Sequence, residues 1–344
     1  CLKPRLAQVA RAAVVEAADK RHGVTLEAVP GCAWRLLVQE GLAGPGGVGL
    51  AVGMEHQMLV DTEGRARSWG VGEWGRLGHG SNVDVAVPQV IASLATERVK
   101  CVAAGECHSL VLTAEGVVYS FGSSDDGALG LGRTVNSTNA PLRVAIDGVV
   151  ISVAAGAIHS AASTEEGRLY TWGLNRYGQL GHGDETHRYL PSAVASTAQL
   201  TVKQVVAGHS CTLIIDADSA IWITGQLRYG GPQSTTFTRV QFPDTPGLPS
   251  PRFISVSACW HVLAVTTDGA LFSWGKGVAG QLGHGSTEDN DAPQLVQTLQ
   301  AVPISTATAG WFTSLALART GEVWSWGSGL ALGHGGNDES QQLI

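Results

Sequence analysis

Residues 155–183 read AGAIHSAASTEEGRLYTWGLNRYGQLGHG, and residues 104–132 read AGECHSLVLTAEGVVYSFGSSDDGALGLG, so the two segments align without a gap. The same frame fits residues 52–80 (VGMEHQMLVDTEGRARSWGVGEWGRLGHG) and 257–285 (SACWHVLAVTTDGALFSWGKGVAGQLGHG), while weaker copies occupy 207–231 and 309–335. With the His of A-G-x-x-H as marker, the copies stand at His56, His108, His159, Cys211, His261 and Thr313, spaced by 52, 51, 52, 50 and 52 residues. A period of about 50 residues marks a repeat architecture in which each supersecondary unit buries its apolar surface against its neighbours.

Within a copy, a β-branched and apolar run follows the marker, reaches a turn with glycine (Gly64, Gly116, Gly167, Gly269, Gly321), and resumes as V-x-S-W-G, the signature of a hairpin. A further apolar stretch precedes each A-G, and another is expected after Pro88, Pro141, Pro191 and Pro293. Four short strands per copy make the chain all-β and give a β-propeller, whose radial repetition leaves only short sheet edges. No copy holds the long 3.6-period segment that helical repeats need. The copies run at about 48–98, 99–150, 151–201, 202–252, 253–303 and 304–344.

The composition agrees. Gly supplies 45 of 344 residues, as many tight turns require, and charged residues are only 15% against about 25% in average soluble proteins. A formal charge of −7 argues against direct nucleic-acid binding. The absence of any apolar run of about 18 residues argues against a membrane span. Six scattered cysteines (Cys1, Cys32, Cys101, Cys107, Cys211, Cys259) include no C-x-x-C pair, so an intracellular, reducing compartment is expected, with the organelle open between cytoplasm, nucleus, cilium and mitochondrion.

The blocks A-G-x-x-H-S, T-x-x-G-x-V-Y-S-W-G and G-Q-L-G-H-G, in fixed order and spacing, resemble the regulator of chromosome condensation repeat family over residues 48–335. The resemblance implies a seven-bladed propeller. Six clear repeats leave a composite or truncated seventh blade to be expected within a propeller domain over 24–344. Ahead of it, Leu6, Val9, Ala10, Ala13, Val14 and Ala17 predict a short amphipathic helix in an extension over 1–23.

Chemistry is hard to find in this pattern. His56, His108, His159 and His261 form one repeat column and His79, His182, His284 and His334 another; a column is a ring of positions on successive blades, so no metal site and no cofactor are expected. Trp69, Trp172, Trp274 and Trp326, with Phe121 in the second copy, read as packing residues. No recognised catalytic motif is present, so the chain is read as no enzyme.

A framework fixed by packing frees its loops for recognition. The residues after each W-G vary, and Trp74, Asp125, Asp126, Asn175, Arg176, Tyr177, Arg228, Tyr229 and Lys276 are the candidate partner-binding set, rich in the aromatic and Arg types found at interface hot spots. An acidic set after G-H-G (Asp84, Asp184, Glu185, Glu288, Asp289, Asp291, Asp338, Glu339) is a candidate rim for steering a basic partner.

The reading is a protein–protein interaction scaffold or subunit of a larger assembly. The family resemblance implies, as the alternative, a guanine-nucleotide exchange factor acting on a small GTPase, but the even spacing leaves no room for the inserted β-wedge of such factors. A light-sensing role, which the resemblance also implies through tryptophans in G-W-R-H-T motifs, is set aside, because only Trp311 holds that slot and Trp260 lies one residue later. The degraded copies, with Cys211 and Thr313 for His and Thr224 for Trp, are expected to have exchanged regularity for partner contacts.

Overall fold

Alternating apolar runs and glycine turns give six antiparallel sheets in a computed structural model that describes residues 49–243 and 250–328. The first four-stranded sheet, blade 1, holds β1 (Leu50–Val52), β2 (His56–Val60), β3 (Ala66–Gly70) and β4 (Val85–Val90). Blade 2 holds β5 (Val99–Ala104), β6 (His108–Thr113), β7 (Val118–Ser123) and β8 (Ser137–Val144), and blade 3 holds β9 (Val150–Ala155), β10 (His159–Thr164), β11 (Leu169–Gly173) and β12 (Arg188–Ala193). Blade 4 holds β13 (Val202–Ala207), β14 (Cys211–Asp216), β15 (Ile221–Gln226) and β16 (Gln233–Arg239), and blade 5 holds β17 (Phe253–Ala258), β18 (His261–Thr266), β19 (Leu271–Gly275) and β20 (Asn290–Leu295). Blade 6 shows β21 (Ile304–Ala309), β22 (Thr313–Ala318) and β23 (Val323–Gly327) among the described residues. The expected helix over 1–23 and the expected seventh blade fall outside the described residues.

In each blade the strands pair in chain order, and the first strand packs against the first strand of the next blade from β1 through to β21. These strands therefore surround the axis, the second strands β6, β10, β14 and β18 are wholly buried, and the fourth strands form the outer edge. The fourth strands do not begin after their prolines, as expected, but run through them. Pro191 sits inside a register break, with Thr171 opposite Ser192 and then Gly173 opposite Arg188, and Pro88, Pro141 and Pro293 occupy the same place in their blades. An edge strand with a bulge spares proline the amide proton it cannot supply.

The repeat columns are the joints between blades. His56 Nε2 lies 2.8 Å from Ser109 Oγ, His108 2.9 Å from Ser160, His159 3.0 Å from Thr212 Oγ1 and His261 2.6 Å from Ser314. Each of these hydroxyls donates back to a carbonyl of the preceding blade, that of Arg76, Ala128, Gln179 or Gln281. A hydroxyl has one proton, so the imidazole must donate through Nε2. The tryptophan joins the same carbonyls: Trp172 Nε1 donates to Ala128 (2.9 Å) and Trp326 Nε1 to Gln281 (2.8 Å). One blade thus offers a socket of imidazole and carbonyl, and the next inserts a hydroxyl and an indole.

The second histidine column works within a blade. His79, His182 and His284 bond to Ser68, Thr171 and Ser273, whose hydroxyls hold the carbonyls of Leu77, Leu180 and Leu282; His334 lies outside the described residues. On blade 1, where the socket would belong to a preceding blade, Trp69 Nε1 and Gln57 Oε1 are buried with no partner among the described residues. β21 does not pack against β1 as successive first strands do elsewhere.

The joint between blades 4 and 5 is different. Cys211 stands where the imidazole would be and Val262 where the hydroxyl would be, both fully buried in one apolar cluster with Trp274. Donor and acceptor are lost together, so neither leaves the other buried and unpaired. Phe242 packs into the same region, its ring 4.4 Å from that of Phe253 and 5.8 Å from that of Trp274. The irregularity of copy four is compensated inside the propeller, so it does not by itself signal exchange for partner contacts.

Candidate protein-binding face

Because the second and third strands are antiparallel, with His159 opposite Gly173, the A-G-x-x-H loop and the W-G loop emerge at the same end of every blade. One hydrogen bond ties the pair in all six: the amides of Val71, Ser123, Leu174, Gln226, Lys276 and Ser328 donate to the carbonyls of Glu55, Cys107, Ile158, Ser210, Trp260 and Phe312, at 2.8–3.0 Å. The irregular residues of both loops therefore share one face.

The nine predicted residues fare differently there. Trp74 is 49% exposed on a left-handed backbone (φ 62°), and Tyr229 is 80% exposed. Asp126, also left-handed, pairs with His187 of blade 3 at 3.0 Å, beside Asp125. Arg176 is exposed and Tyr177 half-buried, its amide held by Gln179 Oε1. Arg228 is committed to Asp291 through two bonds of 2.7 Å and to Asp289 at 3.4 Å. Asn175 is fully buried: its amide nitrogen donates to the carbonyls of Asp184 and Thr186 and its oxygen accepts from the amide of Leu180. It shapes its loop and presents no side chain to the surface, which sequence position alone could not reveal.

Five of the six described members of the acidic set, all but Glu288, are likewise engaged. Asp84 and Asp289 accept from the amides of Gly72 and Gly277, Asp184 holds Arg188, and Glu185 takes a bond from Gln233. These carboxylates brace loops and do not form a free rim; Asp338 and Glu339 lie outside the described residues.

Lys276 leads to a cluster that the sequence reading missed. Its ammonium lies 4.9 Å from the ring centroid of Trp260 and 5.2 Å from that of Phe312. His209 stacks on Trp260 at 4.0 Å, meets Trp311 edge-on at 6.2 Å, and places Nε2 3.3 Å from a carboxylate oxygen of Glu106. Residues of blades 2, 4, 5 and 6 thus form one chain of contacts at the mouth of the central channel. The missed signal was the pair of residues between A-G and the marker: read blade by blade, it becomes Cys259-Trp260 and Trp311-Phe312 in the last two copies.

Beneath this surface, burial drives His56, His159 and His261 down to about 3 and His108 to about 4, so the joint imidazoles are neutral. Burial also pushes the thiols of Cys211 and Cys259 up to about 12, away from nucleophilic character. Among the described residues no group of three or more His, Cys, Asp or Glu could hold a metal ion, and no helix is long and apolar enough to cross a membrane.

The model of the RCC1-like domain matches residues 36–302, and that of the regulator of chromosome condensation (RCC1) repeat matches 304–330. The chain is 37% identical to the ultraviolet-B receptor UVR8 of Arabidopsis thaliana over 82% of its own length and 65% of that protein. It is 33% identical to the E3 ubiquitin-protein ligase HERC2 of Homo sapiens over 86% of the chain but 6% of that protein. Against protein RCC2 of Mus musculus, identity is 31% over 79% of the chain and 48% of the relative. The chain thus spans less than two thirds of these relatives. Among solved structures, human WBSCR16 superposes with a TM-score of 0.74 at 24% identity, covering 86% of this chain and 80% of that one. Yeast RCC1 (Prp20) bound to Kap60 superposes at 0.72 and 24%, covering 85% and 72%.

Proposed function

Because the chain belongs to the RCC1-like propeller family, we propose that it is a non-enzymatic interaction module which binds a protein partner, alone or within a larger assembly, through the face bearing the A-G-x-x-H and W-G loops. The observation that carries this reading is the distribution of exposed rings. All four exposed aromatic residues among those described, Trp74, Tyr229, Trp311 and Phe312, belong to loops of that face, as do Met54, Val83 and Val278. Rings that could be buried at little cost in conformational entropy are the anchors that interfaces use. Trp74 has a left-handed backbone, a conformation unfavourable for a bulky side chain, and residues held in such strain cluster at functional sites.

Relatives support a binding role. Yeast RCC1 is seen bound to Kap60, and Prp20p is described with its binding to Gsp1p and histones. A regulator of nucleotide exchange on a small GTPase is the second reading, and it would use the same face.

Crosslinking mass spectrometry of the chain in native extract tests the first reading. Crosslinks to a partner should concentrate on the loops of this face; crosslinks confined to the outer strands or the opposite end would end it. A nucleotide-release assay with candidate GTPases separates the two readings, since acceleration of release is expected only for the second.

A further inference from the structure

The channel mouth carries charge and aromatic surface in a specific order. On the side of blades 5 and 6, Trp260 and Phe312 already hold an ammonium, that of Lys276, and Phe312 and its neighbour Trp311 are 38% and 41% exposed. An ammonium within about 6 Å of an aromatic centroid is attracted by the negative face of the ring. On the side of blades 1 and 2, the carboxylates of Glu55 and Glu73 are 44% and 63% exposed, and Glu106 reaches across to His209. The guanidinium between these two, that of Arg76, is 2% exposed and so presents little charge to solvent. The solvent side of the mouth is therefore anionic next to a ring pair that accommodates a cation.

The geometry points to this mouth as the docking site for a basic protein segment, one of whose arginine or lysine side chains takes the place of Lys276 over Trp260 and Phe312. The inference rests on the proposed binding role and names the chemistry of its partner. Lys276 is a flexible occupant, attached by four methylenes and without a carboxylate within ion-pair distance among the described residues. A partner's guanidinium stacks on an aromatic face better than an ammonium does and is less strongly hydrated. The carboxylates on the opposite side attract the rest of such a segment and repel an acidic one.

The test uses the full chain with a synthetic peptide of alternating glycine and arginine, and one of alternating glycine and glutamate as control, followed by tryptophan fluorescence and calorimetry at low and high salt. The arginine peptide should bind saturably and more weakly at high salt, and the glutamate peptide should not bind. Lys276→Met, which removes the resident cation, should tighten the arginine peptide about fivefold, and Phe312→Leu, which keeps an apolar side chain but removes the ring, should weaken it about tenfold. A thermal melt shows that both variants are folded. Affinity unchanged in both variants, or preference for the glutamate peptide, overturns the inference. A native partner that crosslinks to this face yet is indifferent to Phe312→Leu overturns it while leaving the binding role standing; a partner that avoids the face removes both.

Discussion

Phe237 of β16 stands against Gly181 as Trp172 stands against Gly130 and Trp326 against Gly283. A methyl group built on these glycines would lie 2.5 Å from a ring carbon of Phe237, 2.8 Å from the indole nitrogen of Trp172 and 3.0 Å from that of Trp326. Blade 4 has Thr224 in the tryptophan column, and a ring from its outer strand fills the space instead. Thr224 keeps part of the polar joint, donating to the carbonyl of Gly178 at 2.9 Å.

Phe237→Ala should therefore be as costly as losing a repeat tryptophan, about 3–5 kcal/mol, although position 237 belongs to no repeat column. Thr224→Trp alone should overpack the same space and cost about 1–3 kcal/mol. Combined, the two changes should cost less than their sum, because the new indole enters the space the phenylalanine leaves. Urea midpoints of the four proteins check this; strict additivity would contradict the substitution of one ring for the other.

Trp172 separates packing from hydrogen bonding. Trp172→Ala should lower stability by about 3–5 kcal/mol. Trp172→Phe should cost much less, since Phe121 occupies this column in blade 2 without an N–H; the loss then includes about 1 kcal/mol for the bond to the Ala128 carbonyl. A melting temperature unchanged in Trp172→Ala would contradict the joint described above.

The four joint histidines set an acid limit. Folded, they titrate at about 3 (His56, His159, His261) and about 4 (His108), against 6.5 in an unperturbed imidazole. The unfolded chain takes up these protons first as pH falls, so stability on their account is full above pH 6.5 and declines towards pH 4. The decline is about 1.4 kcal/mol per pH unit for each histidine. Replacing the His159 and Thr212 pair by Cys and Val, as already found at Cys211 and Val262, should remove one proton's worth of this slope. Urea unfolding between neutral pH and pH 5 measures it; an unchanged slope would count against a neutral His159.

Gly130 is fixed by two constraints at once. Its φ of +70° is left-handed, and a methyl group would strike the Trp172 ring. Gly321, with a φ of +94°, has open space at the same point. Gly321→Ala should cost about 1 kcal/mol from backbone strain alone, and Gly130→Ala clearly more, with thermal denaturation ranking the two. Equal losses would show that the tryptophan gives way.

The blades were legible in the sequence because each must solve the same packing problem with the same residues, so His159, Trp172 and Gly167 recur at fixed offsets. What the columns do was not. That His159 reaches Thr212 in the next copy is a relation between repeats, and an offset within one repeat carries no sign of it. Phe237 escaped notice because a compensating residue need not stand where the lost one stood. Asn175 was misplaced for a related reason: a loop position can face inward. The mouth cluster was invisible because His209, Trp260 and Trp311 lie in three copies, and only the curving of successive blades about one axis brings them into contact.

The indole of Trp69 and the amide oxygen of Gln57, which find no partner among the described residues, show that each blade has a leading and a trailing flank that differ. Contacts between unlike flanks are head-to-tail, and a head-to-tail series has no internal stop: it ends only by curving back on its own beginning. The number of blades is then set by the angle each adds and not by any motif, and a blade from a second chain meets the same leading flank as one from the first. Trp69 is accordingly the residue whose surroundings would report, through its emission, whether the series has closed.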